Sequence, residues 1–446
     1  MCYNDPRKEV DAMKKRAVFA IIFLVALVFC GCALRTVEEM YSLPKRSEKY
    51  NKLQTAIDDA MEGLEYAAPT SGDNRQILQN ADLDGDGVDE YLIFAKGETE
   101  RPLRMLIFRQ EADGGCTLIE DVAFRGSSFV QVEYVPVDDS PGCEIVLGRQ
   151  LSDQLMGTVN IYSFSGGVRQ QLLSSTYSKF LTCDLDANGR RELLIIRPGE
   201  ADMGTGVAVL YSYKDEVVER SVEVRMSARA EDIKRITPSH LYGGDPAIYI
   251  SSAGRGDAVV TDVIALREAR LVNISDSLGE VASVDALRNY PVYATDLDND
   301  GVLELPKMMP IKPIVQGGSG KDNHLLRWYA MDLYGNEMDK LCTFHNFSSG
   351  WYLRLGSSWA GYLTVDQRGD EYTFYMWDEE YEDLTVLFTV SEFSGNDREY
   401  QANQNNRFVL ARDDEVTYAA RLETGSGLFG FTEDYLISNF RLFQQN

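Results

Sequence analysis

Residues 80–96 read NADLDGDGVDEYLIFAK, and this stretch decides the fold. Five acidic side chains fall within the nine positions from Asp82 to Glu90, and the chain then turns apolar. Like charges at that density raise one another's pKa unless something neutralises them. The stretch returns twice. Residues 184–192 read DLDANGRRE and continue as LLII, and residues 296–304 read DLDNDGVLE. Weaker copies lie between: PVDDSPGCE at 136–144, running into IVLG, and SHLYGGDPA at 239–247, running into IYIS. Successive starts are 54, 48, 55 and 57 residues apart, and a steady period in this range signals a repeat architecture.

A hairpin pattern follows each loop, in which two strand-like runs flank a tight turn. MLIFRQEADGGCTLIEDVAF at 105–124 and VVTDVIALREARLVNI at 259–274 are examples. One strand after the loop, the hairpin, and a strand leading into the next loop give four strands per unit, which is one propeller blade. The expectation is a mainly β chain: a β-propeller of about five four-stranded blades over 75–345. A C-terminal α+β domain is expected over 346–446, where the acidic loops stop. That last segment has strand-like runs, and Thr432-Glu433-Asp434 ahead of Tyr435 and Leu436 reads as an N-capped helix.

The three strong loops share Asp at position 1, Asp at 3, Asp or Asn at 5, Gly at 6 and Glu at 9. Calcium takes six to eight oxygens at about 2.3–2.6 Å, and alternating side chains of a curled loop can converge on one centre. Gly permits the sharp turn, and position 7 offers a backbone carbonyl. The candidate Ca2+ ligands are therefore Asp82, Asp84, Asp86, Val88 and Glu90; Asp184, Asp186, Asn188, Arg190 and Glu192; and Asp296, Asp298, Asp300, Val302 and Glu304. An EF-hand needs a bidentate Glu at position 12, but Ile93, Ile195 and Lys307 stand there. Charge ranks the first and third loops above the second, which has Asn188 and adjoins Arg190-Arg191. The two weak copies keep the turn and lack most ligands, so they should hold no metal.

The pattern resembles the calcium loops of FG-GAP/VCBS repeat proteins, the family that includes integrin α-subunit propellers. Its consensus is D-x-[DN]-x-D-G-x-x-D followed by an apolar strand. Here Asp82-Leu83-Asp84-Gly85-Asp86-Gly87 and its two partners carry the likeness, with Glu in place of Asp at position 9. The resemblance spans about residues 75–345 and implies a calcium-bound propeller that presents loops for binding.

The chain has 446 residues and a formal charge of -26, which makes nucleic acid and anionic membrane surfaces poor partners. Residues 1–31 read as a lipoprotein signal peptide. The basic Met13-Lys14-Lys15-Arg16 precedes the 13-residue apolar run 17–29, too short for a spanning helix. Phe29-Cys30-Gly31-Cys32 resembles a bacterial lipobox with Cys32 as lipid acceptor, and Met13 is a candidate start. Residues 32–46 read as a tether, and 47–74 as an N-terminal helix and linker, with Leu53, Ile57, Met61 and Leu64 at helical spacing. Cys116, Cys143, Cys183 and Cys342 show no zinc spacing.

Other signals are bland. Arg255-Gly256-Asp257 reads as a hairpin loop, His240 as a surface residue, and the aromatics Trp351, Tyr352, Trp359, Tyr362, Tyr372, Tyr375 and Trp377 as core. No nucleophile elbow or HExxH pattern is present. The leading expectation is a lipid-anchored, extracytoplasmic calcium-binding protein that binds an extracellular protein or glycan, acts in adhesion, or organises the envelope. The alternatives are a surface-tethered polysaccharide hydrolase or lyase, and a partner of a transporter or secretion assembly.

Overall fold

The computed structural model describes residues 48–111, 114–151, 156–199, 204–221, 223–254, 259–275, 283–284, 292–309, 311, 323–359, 361–377 and 384–443. The signal segment with Cys32, the tether and Arg255-Gly256-Asp257 lie outside them. By internal contacts the chain divides into two units. One comprises residues up to Ala60 together with 110–117; the other comprises 61–109 and 118–446. In the first, helix Glu48–Ala60 buries Leu53 and Ile57. Helical spacing continues beyond it to Leu64, but the helix does not. Gly63 takes a left-handed φ of +75°, a conformation that ends helices, and Glu65–Tyr66 is a strand paired with Glu90–Lys96.

The second unit is mainly β. Its described strands form six antiparallel sheets. Sheet 1 contains Leu78–Ala81, Glu90–Lys96, Leu103–Gln110 and Cys116–Phe124, with Glu65–Tyr66 at its edge. Sheet 2 runs Ser128–Val135, Glu144–Gln150, Gly157–Ser163, Gln170–Tyr177. Sheet 3 runs Lys179–Cys183, Glu192–Pro198, Gly206–Lys214, Val217–Arg220, and sheet 4 runs Ile233–His240, Pro246–Ala253, Val259–Arg267, Arg270–Asn273. Sheet 5 runs Leu305–Met309, Asn323–Met331, Glu337–Asn346, Trp351–Gly356 and ends with Phe440–Leu442. Sheet 6 contains Leu363–Arg368, Glu371–Met376, Thr385–Ser394, Val416–Leu422 and Phe408–Arg412.

Two sequence expectations change here. The strand leading into an acidic loop belongs with the strand after that loop, so each sheet starts one strand earlier than the repeat suggested. The loop is a hairpin connection: Ala81 pairs with Glu90, Val135 with Glu144, and Cys183 with Glu192. The third strong loop has the same spacing in the isolated bridge from Thr295 to Glu304. A connection that short holds its flanking strands side by side, so they pair.

The second change concerns residue 346. It is the last residue of Glu337–Asn346, which pairs with Trp351–Gly356, so sheet 5 crosses the expected domain boundary. The segment beyond builds sheet 6, the short helices Arg398–Ala402 and Glu433–Asn439, and a final strand that returns to sheet 5. Thr432 caps the last helix by accepting the Tyr435 N–H.

Alternation along the strands sends apolar side chains to both faces, and successive sheets bury them against each other. Phe94 and Ile107 of sheet 1 meet Phe129 and Leu147 of sheet 2. Val146 and Ile161 meet Leu193 and Val209 of sheet 3; Leu194 and Leu210 meet Ile250 and Ile264 of sheet 4. Tyr249 and Val263 meet Leu305 and Tyr329 of sheet 5, and Phe344 and Trp351 meet Phe374 and Phe388 of sheet 6. The sheets therefore stack face to face in chain order. At around 25 cal/mol per Å² of apolar surface, these shared faces are what a single sheet could not bury alone.

Candidate metal centre

Each strong loop curls in the same way. Positions 4 and 6 are left-handed: Gly85 and Gly87 (φ +76° and +84°), Ala187 and Gly189 (+57° and +87°), Asn299 and Gly301 (+62° and +86°). The sequence signalled position 6 alone. Those two kinks turn backbone N–H groups inward onto the position-1 carboxylate. Asp82 accepts from Gly85 and Gly87 at 2.8 and 3.0 Å, Asp184 from Asn188 and Gly189 at 3.0 and 3.0 Å, and Asp296 from Asp300 and Gly301 at 3.1 and 3.0 Å. Position 5 accepts the N–H of position 7: Val88 to Asp86, Arg190 to Asn188, Val302 to Asp300. The proposed position-7 ligands are thus held in place by their own N–H groups.

The position-9 glutamates are buried: Glu90, Glu144 and Glu192 open their strands, and Glu304 immediately precedes Leu305–Met309. In four loops one carboxylate oxygen accepts the N–H of position 2, from Leu83, Val137, Leu185 and Leu297 at 3.1, 2.6, 2.7 and 2.8 Å. Sequence reasoning cast this glutamate as a long metal arm; the structure gives it a first duty in closing the hairpin. The loops differ at its second oxygen. Glu90 Oε1 faces Arg109 Nε at 3.2 Å, and Arg109 also pairs with Asp84. Glu144 Oε1 accepts from Ser163 and Ser140 hydroxyls at 3.0 and 3.3 Å. Glu304 Oε1 is fully buried and has no hydrogen-bond partner among the described residues.

Carboxylate oxygens of Asp296, Asp298, Asp300 and Glu304 all lie within 4.8 Å of one another. The same holds for Asp82, Asp84 and Asp86, and for Asp184, Asp186 and Glu192. Hard oxygen donors at this density suit a hard divalent cation, and the orphaned Glu304 oxygen fits one at the third loop. Lys340 is bonded to Asp300 and lies 3.3 Å from Asp298.

The charge ranking read from sequence shifts accordingly. Arg190 turns away to Asp139 of the neighbouring loop, and the Arg191 N–H donates to Pro136 O. The first loop instead receives Arg109 and the third Lys340. Counting side chains at positions 1, 3, 5 and 9 with these inserted cations, each loop carries a formal charge of -3. Burial pushes Glu192 and Glu304 up to about 7 each, with nearby aspartates adding to the effect and the position-2 N–H opposing it. Burial also raises Glu90 and Glu144, against the pull of their hydrogen bonds. The Lys340 ammonium holds Asp300 below its ordinary range.

Neighbouring loops touch along one rim of the stack. The Cys143 N–H donates to Asp82 O, and the Ser239 hydroxyl reaches Gly301 O at 3.2 Å. The weak loop at 239–247 keeps its turn, with Leu241 N–H bonded to Asp245 O. His240 is exposed there. Of the C-terminal aromatics, Trp351 and Tyr372 are core, while Tyr362 is exposed. Cys116, Cys143, Cys183 and Cys342 are free thiols. Among the described residues no helix is long and apolar enough to cross a membrane.

No family model matches the chain, and no curated protein matches it. Among solved structures it is similar to rhamnogalacturonan lyase YesW (13% identity, TM-score 0.29, covering 73% of this chain and 64% of that one). The chain therefore spans less than two thirds of that lyase. It is also similar to the β-propeller domain of the trilobed protease from Pyrococcus furiosus (11% identity, TM-score 0.27, 81% and 91% covered). A protein from Lactobacillus plantarum overlaps at 9% identity and TM-score 0.25, with 73% and 94% covered. Overlaps at such scores do not define a shared fold, and they carry no argument about activity.

Proposed function

We propose that this chain is a calcium-stabilised β-propeller of the FG-GAP/VCBS type. It is held at the extracytoplasmic face of a membrane by a lipid on Cys32 and binds an extracellular protein or glycan. The sequential face-to-face stack and the repeated nine-residue hairpin loop support the propeller. One residue carries the metal: Glu304, whose Oε1 is buried with no hydrogen-bond partner among the described residues and whose carboxylate has an oxygen within 4.8 Å of oxygens of Asp296, Asp298 and Asp300. A buried carboxylate oxygen with no donor is costly, and a divalent cation removes that cost. The third loop is the best site and the second follows. Calcium enters the first only by displacing Arg109. Ion binding then fixes the loop rim, and the rim presents the ligand surface.

The test is to melt the mature protein in calcium and in EGTA and to titrate calcium calorimetrically. A higher midpoint in calcium with measurable heat supports the reading; identical midpoints and no heat retire it. Cys32→Ala should move the protein from the membrane fraction to the soluble fraction. A glycan and protein array, probed with and without calcium, identifies the ligand.

A further inference from the structure

The loops differ most in the residue standing opposite the position-9 glutamate on the neighbouring strand. Tyr91 pairs with Phe108, so Glu90 faces Arg109; Ile145 pairs with Tyr162, so Glu144 faces Ser163. By the same step Glu192 faces Ser212, and Glu304 faces Ala330. Two of these four facing residues donate to their glutamates. Arg109 and Ser163 reach the inner oxygen of their glutamates at 3.2 and 3.0 Å. The Ala330 side chain has no donor to offer, and Glu304 Oε1 has no hydrogen-bond partner among the described residues.

We infer that the residue facing the position-9 glutamate decides whether a loop takes a divalent cation: Arg109 closes the first loop, and Ala330 leaves the third open. This rests on the calcium reading above and names what selects among the loops. A guanidinium bridging Glu90 and Asp84 supplies the positive charge and donors that an ion would supply. It is delivered by a paired strand, so the register of the sheet brings it to the loop. Lys340 differs. It reaches the third loop from strand Glu337–Asn346 through Asp298 and Asp300 and leaves the buried oxygen untouched. A flexible ammonium that makes no bond to the glutamate is a weaker obstacle than a guanidinium bonded to it.

The experiment is a calorimetric calcium titration, with melts in EGTA, of the mature wild-type protein, Arg109→Ser and Ser212→Arg. Arg109→Ser should bind one additional calcium per chain, or tighten the weakest site at least tenfold, and show a larger calcium-dependent rise in midpoint. Ser212→Arg should lose one calcium. Circular dichroism in calcium confirms that each variant is folded, and Arg109→Lys, with its less rigid cation, should fall between wild type and Arg109→Ser. If wild type binds calcium and both exchanges leave stoichiometry and affinity unchanged, the inference is overturned and the calcium reading stands. If wild type and all variants bind none, the calcium reading fails as well.

Discussion

The loops at 136–144 and 296–304 are one hairpin with two chemistries. Both put a glutamate nine residues after the strand partner that precedes the loop, and both bind its carboxylate to the position-2 N–H. In the first, Ser140 and Ser163 hydroxyls complete the carboxylate, and position 6 is Pro141. In the second, three aspartates cluster with the glutamate, and Glu304 Oε1 has no hydrogen-bond partner among the described residues. The hairpin and the ion site are therefore separable. The glutamate builds the first, while the aspartates and an unfilled oxygen make the second.

The largest effect should come from Glu144→Ala. It strips the acceptor from two backbone N–H groups and two hydroxyls in a buried place, for a loss of about 3 kcal/mol. Denaturant midpoints should fall equally in calcium and in EGTA; a loss that calcium repairs would break the contrast between the two loops. Next comes calcium itself. At a hundred times its Kd an ion adds about 2.7 kcal/mol per site. Glu304→Gln should remove that gain at the third loop, while leaving the EGTA stability no lower than wild type, because a neutral amide can still accept the Leu297 N–H.

A pH series sharpens the same contrast. Glu192 and Glu304 sit at about 7 when folded against an ordinary 4.5, so the folded metal-free chain holds their protons more tightly than the unfolded chain does. Their contribution to stability is complete below about pH 4.5 and is lost as pH rises through 7. In EGTA, the stability difference between wild type and Glu304→Gln should therefore widen against wild type from pH 5 to 7.5. Calcium should close it at pH 7.5. A difference that stays flat across that range would count against a buried, protonated Glu304.

The smallest effect concerns position 4 of the second loop. Ala187 is held at φ +57°, where a Cβ is strained. Ala187→Gly should gain about 0.5 kcal/mol, since relief of that strain exceeds the added freedom of the unfolded chain. Gly189→Ala, one kink further on at +87°, should lose stability instead. Urea melts of both variants check the pair.

The recurrent acidic stretch made the loops and the β class legible, because a tight turn and a strand start are local properties of the chain. The capped helix after Thr432 was legible for the same reason. The phase of the sheets was not: a strand before a loop looks the same whichever neighbour it pairs with. Sheet 6 has no copy of the Asp-x-Asp-x-Asp-Gly loop, so the period could not reveal it, although its strand-like runs were visible. Arg109 went unseen because it lies 19 residues beyond Glu90 and reads as a charge beside a turn.

By itself, then, the sequence determined where carboxylates cluster and where the chain must turn. Tertiary structure decided which of those carboxylates is already satisfied. Arg109, Ser163, Ser212 and Ala330 face their glutamates at separations of 19, 19, 20 and 26 residues, so no fixed spacing marks them. A buried oxygen is filled or left bare by its cross-strand neighbour, and that neighbour is set by register.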